Sequence, residues 1–332
     1  MAERKEAMYY EKLDGGRVRC KLCPHSCTIG DGKTGLCRVR RNEGGTLYSL
    51  IYGQVTSVAM DPVEKKPLYH FYPGRAILSV GTVGCNLGCL FCQNYTISQM
   101  EAATRALTSA EAVQAALDND SIGVAYTYNE PFIWFEYVLE TAKLVREKGM
   151  KNVLVTNGFV QQEPLKELLP YVDALNVDIK SIRPEFYKKI CRGQLEPVLE
   201  TCKTAVKSAL VEVTNLIIPG HNDSDDDFEK LAGWIAENLG RQTPTHLSAY
   251  FPCYKMTAPP TPLSTLEHAY DIFATHLDYV YLGNVRSRKG SNTMCRSCKA
   301  TLIERVGYDT RIVGMRDDGR CAKCGAENNV RM

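Results

Sequence analysis

Residues 76–94 read AILSVGTVGCNLGCLFCQN, a short apolar run followed by three cysteines in the spacing C-x3-C-x2-C. The apolar run, residues 76–80, is typical of a buried strand, so Cys85, Cys89 and Cys92 come directly after its end. Three thiolates can each bind one iron of a four-iron cluster and leave the fourth iron open to a chelating substrate. A closed zinc site needs a fourth ligand, and the next His or Cys downstream is the distant Cys191. The motif therefore favours a [4Fe–4S] cluster.

Strand-like and helix-like patterns alternate on both sides of this motif. The candidate strands are residues 76–80, 123–128, 152–156, 174–179, 211–218, 246–251 and 279–282. The candidate helices are residues 109–117 (with Ser109 as N-cap), 132–148, 164–169 and 226–239. Repeated strand-then-helix units predict an α/β fold with parallel strands, and about six units predict a partial (β/α)6-type TIM barrel. An open doubly wound sheet has the same rhythm and remains an alternative.

Two further cysteine sets flank this region. The tail carries two C-x2-C pairs separated by 22 residues, Cys295 with Cys298 and Cys321 with Cys324, a spacing typical of a zinc ribbon. The N-terminal set is Cys20, Cys23, Cys27 and Cys37, and its spacing fits either zinc or an auxiliary [4Fe–4S] cluster. We therefore expect a Cys-rich module at 1–70, the barrel at 71–285 and a zinc-ribbon-like module at 286–332.

Composition narrows the class of protein. The 332 residues are 44% hydrophobic and include 14 cysteines, which in a reducing compartment favour metal sites over disulfides. No apolar run is long enough to cross a membrane, and residues 1–16 do not resemble a secretory signal, so a cytoplasmic protein is expected. The net charge is +2, but residues 1–41 and 286–332 are both basic. Basic ends can bind nucleic acid, and a zinc-binding, nucleic-acid-associated protein is one alternative function.

These motifs resemble the radical S-adenosylmethionine (SAM) superfamily, and more closely the radical SAM enzymes of the AmmeMemoRadiSam system, which are related to pyruvate formate-lyase activating enzymes. The resemblance runs over nearly the whole chain. It is carried by CKLCPHSC (20–27), DPVEKKPLYHFYPG (61–74), GCNLGCLFCQN (84–94), YTYNEP (126–131), VTNG (155–158), NVDIK (176–180), IIPGHND (217–223), YLGN (281–284) and the tail cysteines.

The resemblance implies a role for particular residues. Cys85, Cys89 and Cys92 would bind the cluster, whose open iron would chelate the amino and carboxylate groups of SAM. The residues expected to contact SAM are Phe91 and Ile218 near the adenine, Asn129 and Glu130 near the amino group, Lys180 at the carboxylate and His246 near the ribose. Asn94, Thr156 and Asn157 of VTNG, and Asp178 are also expected to contact SAM. The acid that often precedes Thr-Asn-Gly in activases is Val155 here, which argues against strict glycyl-radical activase function.

The implied activity is reductive cleavage of SAM to a 5′-deoxyadenosyl radical, which abstracts hydrogen from a small-molecule or protein substrate. A glycyl-radical activase is the second alternative function. The implied cofactors are a [4Fe–4S] cluster, SAM and Zn²⁺. A flavodoxin or ferredoxin would supply the electron, and Memo-like and AmmeCR-like proteins of the same system are candidate partners; no membrane or nucleic-acid partner is expected.

Overall fold

A mixed eight-stranded sheet forms the centre of the computed structural model, which describes residues 5–332. The first four residues of the expected 1–70 module lie outside the described part. Seven of the strands are parallel: β9 (Ala76–Gly81), β11 (Gly123–Tyr126), β12 (Lys151–Thr156), β13 (Ala174–Asp178), β14 (Leu210–Ile217), β15 (Thr245–Ala249) and β16 (Val280–Gly283). The eighth, β8 (Ser57–Pro62), pairs antiparallel with β9.

The strand order excludes the doubly wound alternative. Neighbours across the sheet run β16-β15-β14-β13-β12-β11-β9-β8, so each parallel strand lies beside the next one along the chain, apart from the short strand β10 (Arg105–Ala106). A doubly wound sheet reverses its direction of growth at a switch point, and this order does not. The topology is that of an opened (β/α) barrel, with β8 and β16 as its two edges in residues 5–332.

Helices follow six of the parallel strands, which gives the six strand–helix units expected from the sequence. They are α1 (Tyr95–Ser98), α2 (Ser109–Asp118), α3 (Phe135–Glu147), α4 (Gln162–Leu168), α5 (Pro184–Phe186), α6 (Glu196–Ala205), α7 (Asp225–Asn238) and α8 (Leu263–His276). A π-helical turn, Tyr187–Cys191, continues α5. None of the helices in residues 5–332 has the length and apolar content that a membrane crossing requires.

The start of α2 corrects one sequence-based expectation. The N-cap is Thr108 and not Ser109. The Thr108 hydroxyl accepts from the Glu111 backbone N–H, and the Glu111 carboxylate accepts from the Thr108 N–H at 2.7 Å. This reciprocal capping box satisfies two N–H groups, which places the helix boundary one residue earlier than expected.

Short antiparallel strands build the two flanking modules. The N-terminal strands are β1 (Lys5–Glu6), β2 (Tyr10–Lys12), β3 (Val18–Cys20), β4 (Thr28–Ile29), β5 (Arg40–Glu43) and β6 (Thr46–Ser49), followed by β7 (Gln54–Val55), which pairs with β10 (Arg105–Ala106). The tail strands are β17 (Thr293–Met294), β18 (Thr301–Val306) and β19 (Asp309–Ile312). One apolar core extends from the N-terminal module through the sheet, whereas the tail has a small core of its own around its cysteines.

Candidate functional site

A cavity of about 610 Å³ lies along the carboxyl ends of the parallel strands. In barrels of this kind the strand ends at this face carry the chemistry. The cavity is lined by all three cysteines of the C-x3-C-x2-C motif. It is also lined by nine of the ten residues expected to contact SAM: Phe91, Asn94, Asn129, Glu130, Thr156, Asn157, Asp178, Lys180 and His246.

Backbone hydrogen bonds hold the motif loop between β9 and α1. The Gly88 N–H donates to the Cys191 carbonyl at 2.8 Å, and the Leu90 N–H donates to the Ile190 carbonyl at 3.1 Å. From the other side, the Lys255 N–H donates to the Leu90 carbonyl at 2.9 Å. The loop that carries the three cysteines is therefore clamped between the π-helical turn and the segment after β15.

Gly84, directly before the first motif cysteine, has a φ of +90°. A Cβ at this position would lie 2.7 Å from a methyl group of Val39 and 2.8 Å from the Cys37 carbonyl oxygen. Glycine is required both for the backbone conformation and for this close approach of the N-terminal module.

Glu130 lies at the start of the turn after β11, and its carboxylate is almost fully buried. It accepts hydrogen bonds from the Thr156 hydroxyl at 2.7 Å, the Asn157 N–H at 2.8 Å and the Phe132 N–H at 3.0 Å. Burial raises the pKa of Glu130 to about 7, although these three donors favour the ionised form. The VTNG segment thus acts on the cavity partly by holding Glu130 in place.

Asn157 and Asn129 connect the strand ends to the motif loop. The Asn157 amide donates to the Cys85 sulfur at 3.5 Å and to the Asn86 side-chain oxygen at 2.9 Å. The Asn129 amide donates to the Gly84 carbonyl at 3.0 Å. These two side chains fix the position of the first cysteine relative to β11 and β12.

Asp178 and Lys180 form an ion pair of 3.1 Å at the end of β13. The Lys180 ammonium also lies 5.8 Å from the centre of the Phe91 ring. Burial lowers the pKa of Lys180, but the negative charge of Asp178 and the nearby thiols outweigh burial and raise that pKa well above its usual value. Lys180 is therefore a fixed positive charge beside the motif.

Two of the expected residues have other partners in the structure. Ile218 is buried and does not line the cavity; its N–H donates to the Asn222 side chain at 2.7 Å. His246 lines the cavity, and its Nε2 is hydrogen-bonded to the buried Glu212 carboxylate at 2.7 Å. Asn94 is the most exposed of the set and donates to the Tyr128 carbonyl at 2.7 Å.

The structure also brings together residues that the sequence spacing left apart. Cys191 and Cys253 are isolated in the sequence, yet the thiol of Cys191 lies beside that of Cys89, and the Cys253 thiol donates to the Cys92 carbonyl at 3.5 Å. The hydrogen bond with Cys191 is the larger cause, and burial the second, that raise the pKa of Cys89 well above its ordinary value. The segment of residues 61–74 also lines the cavity, together with Tyr308 from the tail.

The three cysteine sets differ in the spacing of their sulfur atoms. In the tail, Cys295 and Cys324 are 3.6 Å apart, Cys298 and Cys321 are 3.7 Å apart, and all four sulfurs lie within 4.8 Å of one another. Within residues 5–332, this is the only set of three or more metal-binding side chains that converges so closely. The central three and the N-terminal four are therefore more widely spaced.

The N-terminal cysteines surround a small cavity of about 20 Å³. Cys20, Cys23, Cys27 and Cys37 all line it, together with Arg40. Burial raises the pKa of Cys20, Cys23 and Cys37. Four thiols in one buried space constitute a ligand set that a positively charged metal centre would stabilise.

Comparison with known sequences supports the resemblance to the radical SAM superfamily independently of the structure. The sequence profile of the radical SAM superfamily matches residues 79–235. The chain is 47% identical to an uncharacterized protein of Methanocaldococcus jannaschii over 333 residues, 98% of this chain and 99% of that protein. It is 27% identical to the pyruvate formate-lyase 1-activating enzyme of Escherichia coli K12 over 175 residues, 50% of this chain and 71% of that enzyme.

Two solved structures share the fold. A radical SAM methyltransferase from Sphaerobacter thermophilus has a TM-score of 0.51 at 19% identity, over 70% of this chain and 71% of that one. Streptococcus suis SuiB bound to precursor peptide SuiA also has a TM-score of 0.51, at 14% identity over 68% of this chain and 52% of that one. At these identities the similarity concerns the fold alone.

Proposed function

Because the chain belongs to the radical SAM superfamily, we propose that it binds a [4Fe–4S] cluster through Cys85, Cys89 and Cys92 and reductively cleaves SAM. When bound, the cluster supplies the electron that breaks a carbon–sulfur bond of SAM, and the resulting 5′-deoxyadenosyl radical abstracts hydrogen from the substrate. The three thiols fit this group because they line one cavity and their sulfurs do not all lie within 4.8 Å of one another.

One observation carries the assignment of SAM to the cavity. A buried carboxyl group, Glu130, and the ammonium group of Lys180, whose side chain is 15% exposed, both line the cavity beside the cysteines. SAM presents an amino group and a carboxylate, so each charged group has a complement on the ligand. Phe91 lies beside Lys180, where its ring is available to pack against the adenine.

The direct test is anaerobic incubation of the iron-loaded protein with SAM and dithionite. We expect 5′-deoxyadenosine and methionine to form, and we expect both to be absent when iron is removed. A protein that binds zinc at every cysteine set and leaves SAM intact would contradict the proposal. Adding cell extract and analysing new products by mass spectrometry would then identify the substrate.

The activase function is the second candidate. It is favoured by the partial similarity to activating enzymes and opposed by Val155 at the position of the activase acid. We propose a flavodoxin or ferredoxin as reductant and Memo-like and AmmeCR-like proteins as partners. A substrate protein that acquires a glycyl radical on incubation would favour activase function.

For the tail we propose a zinc ribbon within the module 286–332. Tetrahedral zinc with Zn–S bonds of about 2.3 Å requires sulfurs about 3.8 Å apart, and the Cys295–Cys324 and Cys298–Cys321 sulfurs are 3.6 and 3.7 Å apart. Thiolates of a four-iron cluster each bind a different iron and cannot converge on one point. Sulfur spacing therefore favours a single zinc ion here.

A further inference from the structure

Part of the main cavity lies beyond the motif cysteines and the charged groups proposed for SAM. It is lined by residues of β14, β15 and β16 and by the segment of residues 61–74. His246 is the second residue of β15, and Ser248 follows it on the same face of the strand. Ser248 is nearer to the carboxyl end of β15, so His246 lies deeper in the barrel and forms part of the cavity floor.

A buried carboxylate holds the His246 ring in one orientation. The Glu212 carboxylate faces Nε2 of the ring at 2.7 Å, and it also accepts from the backbone N–H groups of Tyr69 and His70 at 3.0 and 2.7 Å. Burial raises the pKa of Glu212, but its hydrogen bonds and the nearby histidines outweigh burial and lower that pKa below its usual value. An ionised carboxylate only accepts, so Nε2 carries the proton and donates it to this bond.

The other ring nitrogen of His246, Nδ1, has no hydrogen-bond partner among residues 5–332. The side chain is 4% exposed and lines the cavity. In the neutral ring, the nitrogen without the proton is an acceptor. A buried acceptor without a partner costs free energy, which a ligand with an O–H or N–H group would recover. A carboxylate that fixes one nitrogen of a histidine leaves the other oriented toward such a ligand.

The charges around this part of the cavity disfavour a charged ligand group. Lys65 and Lys66 line it and share one carboxylate, Asp61, at 2.8 and 2.6 Å, so their surplus positive charge would repel an ammonium group. An anionic group would face the lone pair of the histidine Nδ1, with the Glu212 carboxylate behind the ring. A neutral hydroxyl group can donate to Nδ1 and can also accept from the Ser248 hydroxyl, which makes no hydrogen bond within residues 5–332.

We infer that this part of the cavity binds the substrate, and that the substrate is an uncharged small molecule whose hydroxyl group donates to Nδ1 of His246. A cavity of about 610 Å³ is of the size that binds small molecules. His246 is then a substrate-binding residue and not the ribose contact that the sequence resemblance implied. The inference deepens the proposed function and rests on it, because the substrate must lie beside SAM.

The register of the sheet places His246 within reach of the SAM end. Asp178, Thr214 and His246 are neighbours across β13, β14 and β15. Adjacent strands are about 4.8 Å apart, so the backbone of His246 lies roughly 10 Å from that of Asp178, at the strand end that carries Lys180. A small molecule bound at His246 therefore lies next to the SAM groups and within the same cavity.

Hydrogen transfer from the substrate tests the inference. Cells that encode the protein are grown in deuterated medium, and the small-molecule filtrate of their extract is separated by ion exchange into anionic, cationic and uncharged fractions. The iron-loaded protein is incubated anaerobically with SAM, dithionite and each fraction, and deuterium in 5′-deoxyadenosine is measured by mass spectrometry. The uncharged fraction should transfer deuterium, and acetylation of its hydroxyl groups should abolish the transfer.

The outcomes separate this inference from the proposed function. Transfer that survives acetylation would overturn the inference. Deuterium that comes only from the charged or the macromolecular fractions, or from none of them, would also overturn it. If the wild-type protein forms no 5′-deoxyadenosine at all, the proposed function fails instead.

His246→Gln tests the role of Nδ1. The glutamine amide can still donate to Glu212 but places no acceptor at the position of Nδ1, so deuterium transfer from the uncharged fraction should fall at least about tenfold. His268→Gln, at an exposed histidine that pairs with Asp225, is the matched control. Ser248→Ala leaves the bond between His246 and Glu212 in place and should lower the transfer at least about threefold.

Melting curves show whether each variant folds, and calorimetry measures its SAM affinity. Unchanged transfer in folded His246→Gln would overturn the inference. Weaker SAM binding with an unchanged deuterium content of the 5′-deoxyadenosine would do the same, because that result indicates a ribose contact. If His246→Gln does not fold, unchanged transfer in Ser248→Ala overturns the inference.

Discussion

Glu130 and Lys180, which line the cavity beside the cysteines, both have shifted pKa values. Burial raises the pKa of Glu130 to about 7, so this carboxyl group takes up a proton at much higher pH than an exposed glutamate does. Burial also lowers the pKa of Lys180, but Asp178 and the nearby thiols outweigh it, so the ammonium stays charged. A ligand that brings both a carboxylate and an amino group would satisfy Lys180 and favour ionised Glu130.

The three motif cysteines give the first prediction at this scale. Cys85→Ala, Cys89→Ala and Cys92→Ala should each abolish formation of 5′-deoxyadenosine, because loss of one thiolate breaks the cluster. The matched control is Cys202→Ala, at a buried cysteine in α6. Product is measured by chromatography after anaerobic incubation with SAM and dithionite. A motif variant that forms product at the wild-type rate would show that the cluster is held elsewhere.

Lys180 gives the second prediction. Lys180→Met keeps roughly the length of the side chain and removes the charge, so SAM should bind at least about tenfold more weakly, on the order of 1.5–3 kcal/mol for a charged hydrogen bond. The iron content should not change. Lys230→Met is the control, since Lys230 pairs with Asp226 on the surface of α7. Calorimetry of SAM binding is compared with a melting curve; unchanged affinity with a lower melting temperature would mean that Lys180 only neutralises Asp178.

At the level of single residues, spacing in the sequence identified the three motif cysteines but missed their neighbours. Cys191 and Cys253 follow the motif by about a hundred residues or more and have no metal-ligand spacing of their own. They reach the motif because the π-helical turn and the segment after β15 fold onto the cysteine loop. Contacts of this kind depend on the tertiary fold, and no local pattern encodes them.

At the level of elements, all seven candidate strands are present as parallel strands, because apolar runs bounded by polar turns are a strong local signal. The predicted ends of these strands were less accurate. The candidate strand at 246–251 corresponds to β15, Thr245–Ala249, because the Tyr250 N–H donates to the hydroxyl of the loop residue Thr261 and no longer to a neighbouring strand. The edge strand β8 was not expected. Its sequence SVAMDP reads poorly as a strand, and its partner is decided by the fold.

The connection between β8 and β9 contains a buried histidine that predicts acid sensitivity. The Nδ1 of His70 faces the Asn329 carbonyl at 3.1 Å, which can only accept, so Nδ1 carries the proton. The Nε2 then accepts from the Tyr281 hydroxyl at 2.6 Å. Burial lowers the pKa of His70 to about 4. The native state therefore holds His70 in its neutral form.

The sign of the pH effect follows from this shift. The unfolded chain binds a proton at His70 near pH 6.5 and the native state only near pH 4, so His70 destabilises the fold as pH falls across this window, by about 3 kcal/mol in total. His70→Asn should lose less stability than the wild type between pH 7 and pH 5, whatever its loss at pH 7. Urea unfolding at both values measures the difference, and the exposed His268→Asn serves as control. If the free energy of unfolding changes equally with pH in His70→Asn and the wild type, His70 is not the source of the acid sensitivity.

The tail gives the prediction for a whole module. Cys321→Ser should release about one zinc per chain and lower the melting temperature, because metal binding is coupled to folding. SAM cleavage at the central cysteines should persist in the folded fraction. Zinc and iron are measured by elemental analysis, with Cys202→Ser as the control. Loss of iron in place of zinc would contradict the zinc-ribbon assignment.

At the scale of the whole molecule, the tail and the segment of residues 61–74 close one side of the sheet together. The Tyr72 N–H donates to the Arg331 carbonyl and the Arg331 N–H donates to the His70 carbonyl, both at 2.8 Å. The Tyr279 hydroxyl, beside β16, donates to Asn328 at 3.1 Å. Tyr308 of the tail lines the main cavity. The tail is thus part of the cavity wall, which the sequence pattern of separate cysteine sets did not indicate.

A buried ion pair of Arg305 and Glu64 links the tail to the segment that follows β8. Their side chains are 1% and 0% exposed, and the Arg305 Nε lies 3.8 Å from a Glu64 oxygen. Arg305 also donates to the Tyr69 carbonyl at 2.7 Å and to the Thr293 hydroxyl at 2.8 Å. Breaking a buried pair by removing one partner costs more than the pair contributes, because the other charge remains buried without compensation.

This geometry predicts non-additive stability losses. Arg305→Met alone should cost about 3–5 kcal/mol, since it leaves the Glu64 carboxylate unpaired. Adding Glu64→Gln should recover part of that loss, so that the double variant is more stable than the sum of the single losses by at least about 1 kcal/mol. Zinc content should remain at about one per chain in all three variants, because the tail cysteines keep their own core. Arg320→Met, which removes an exposed ion pair of the tail, is the control and should change stability by less than about 1 kcal/mol. Melting curves give the stabilities. Additive losses would mean that the two charges do not interact across the interface.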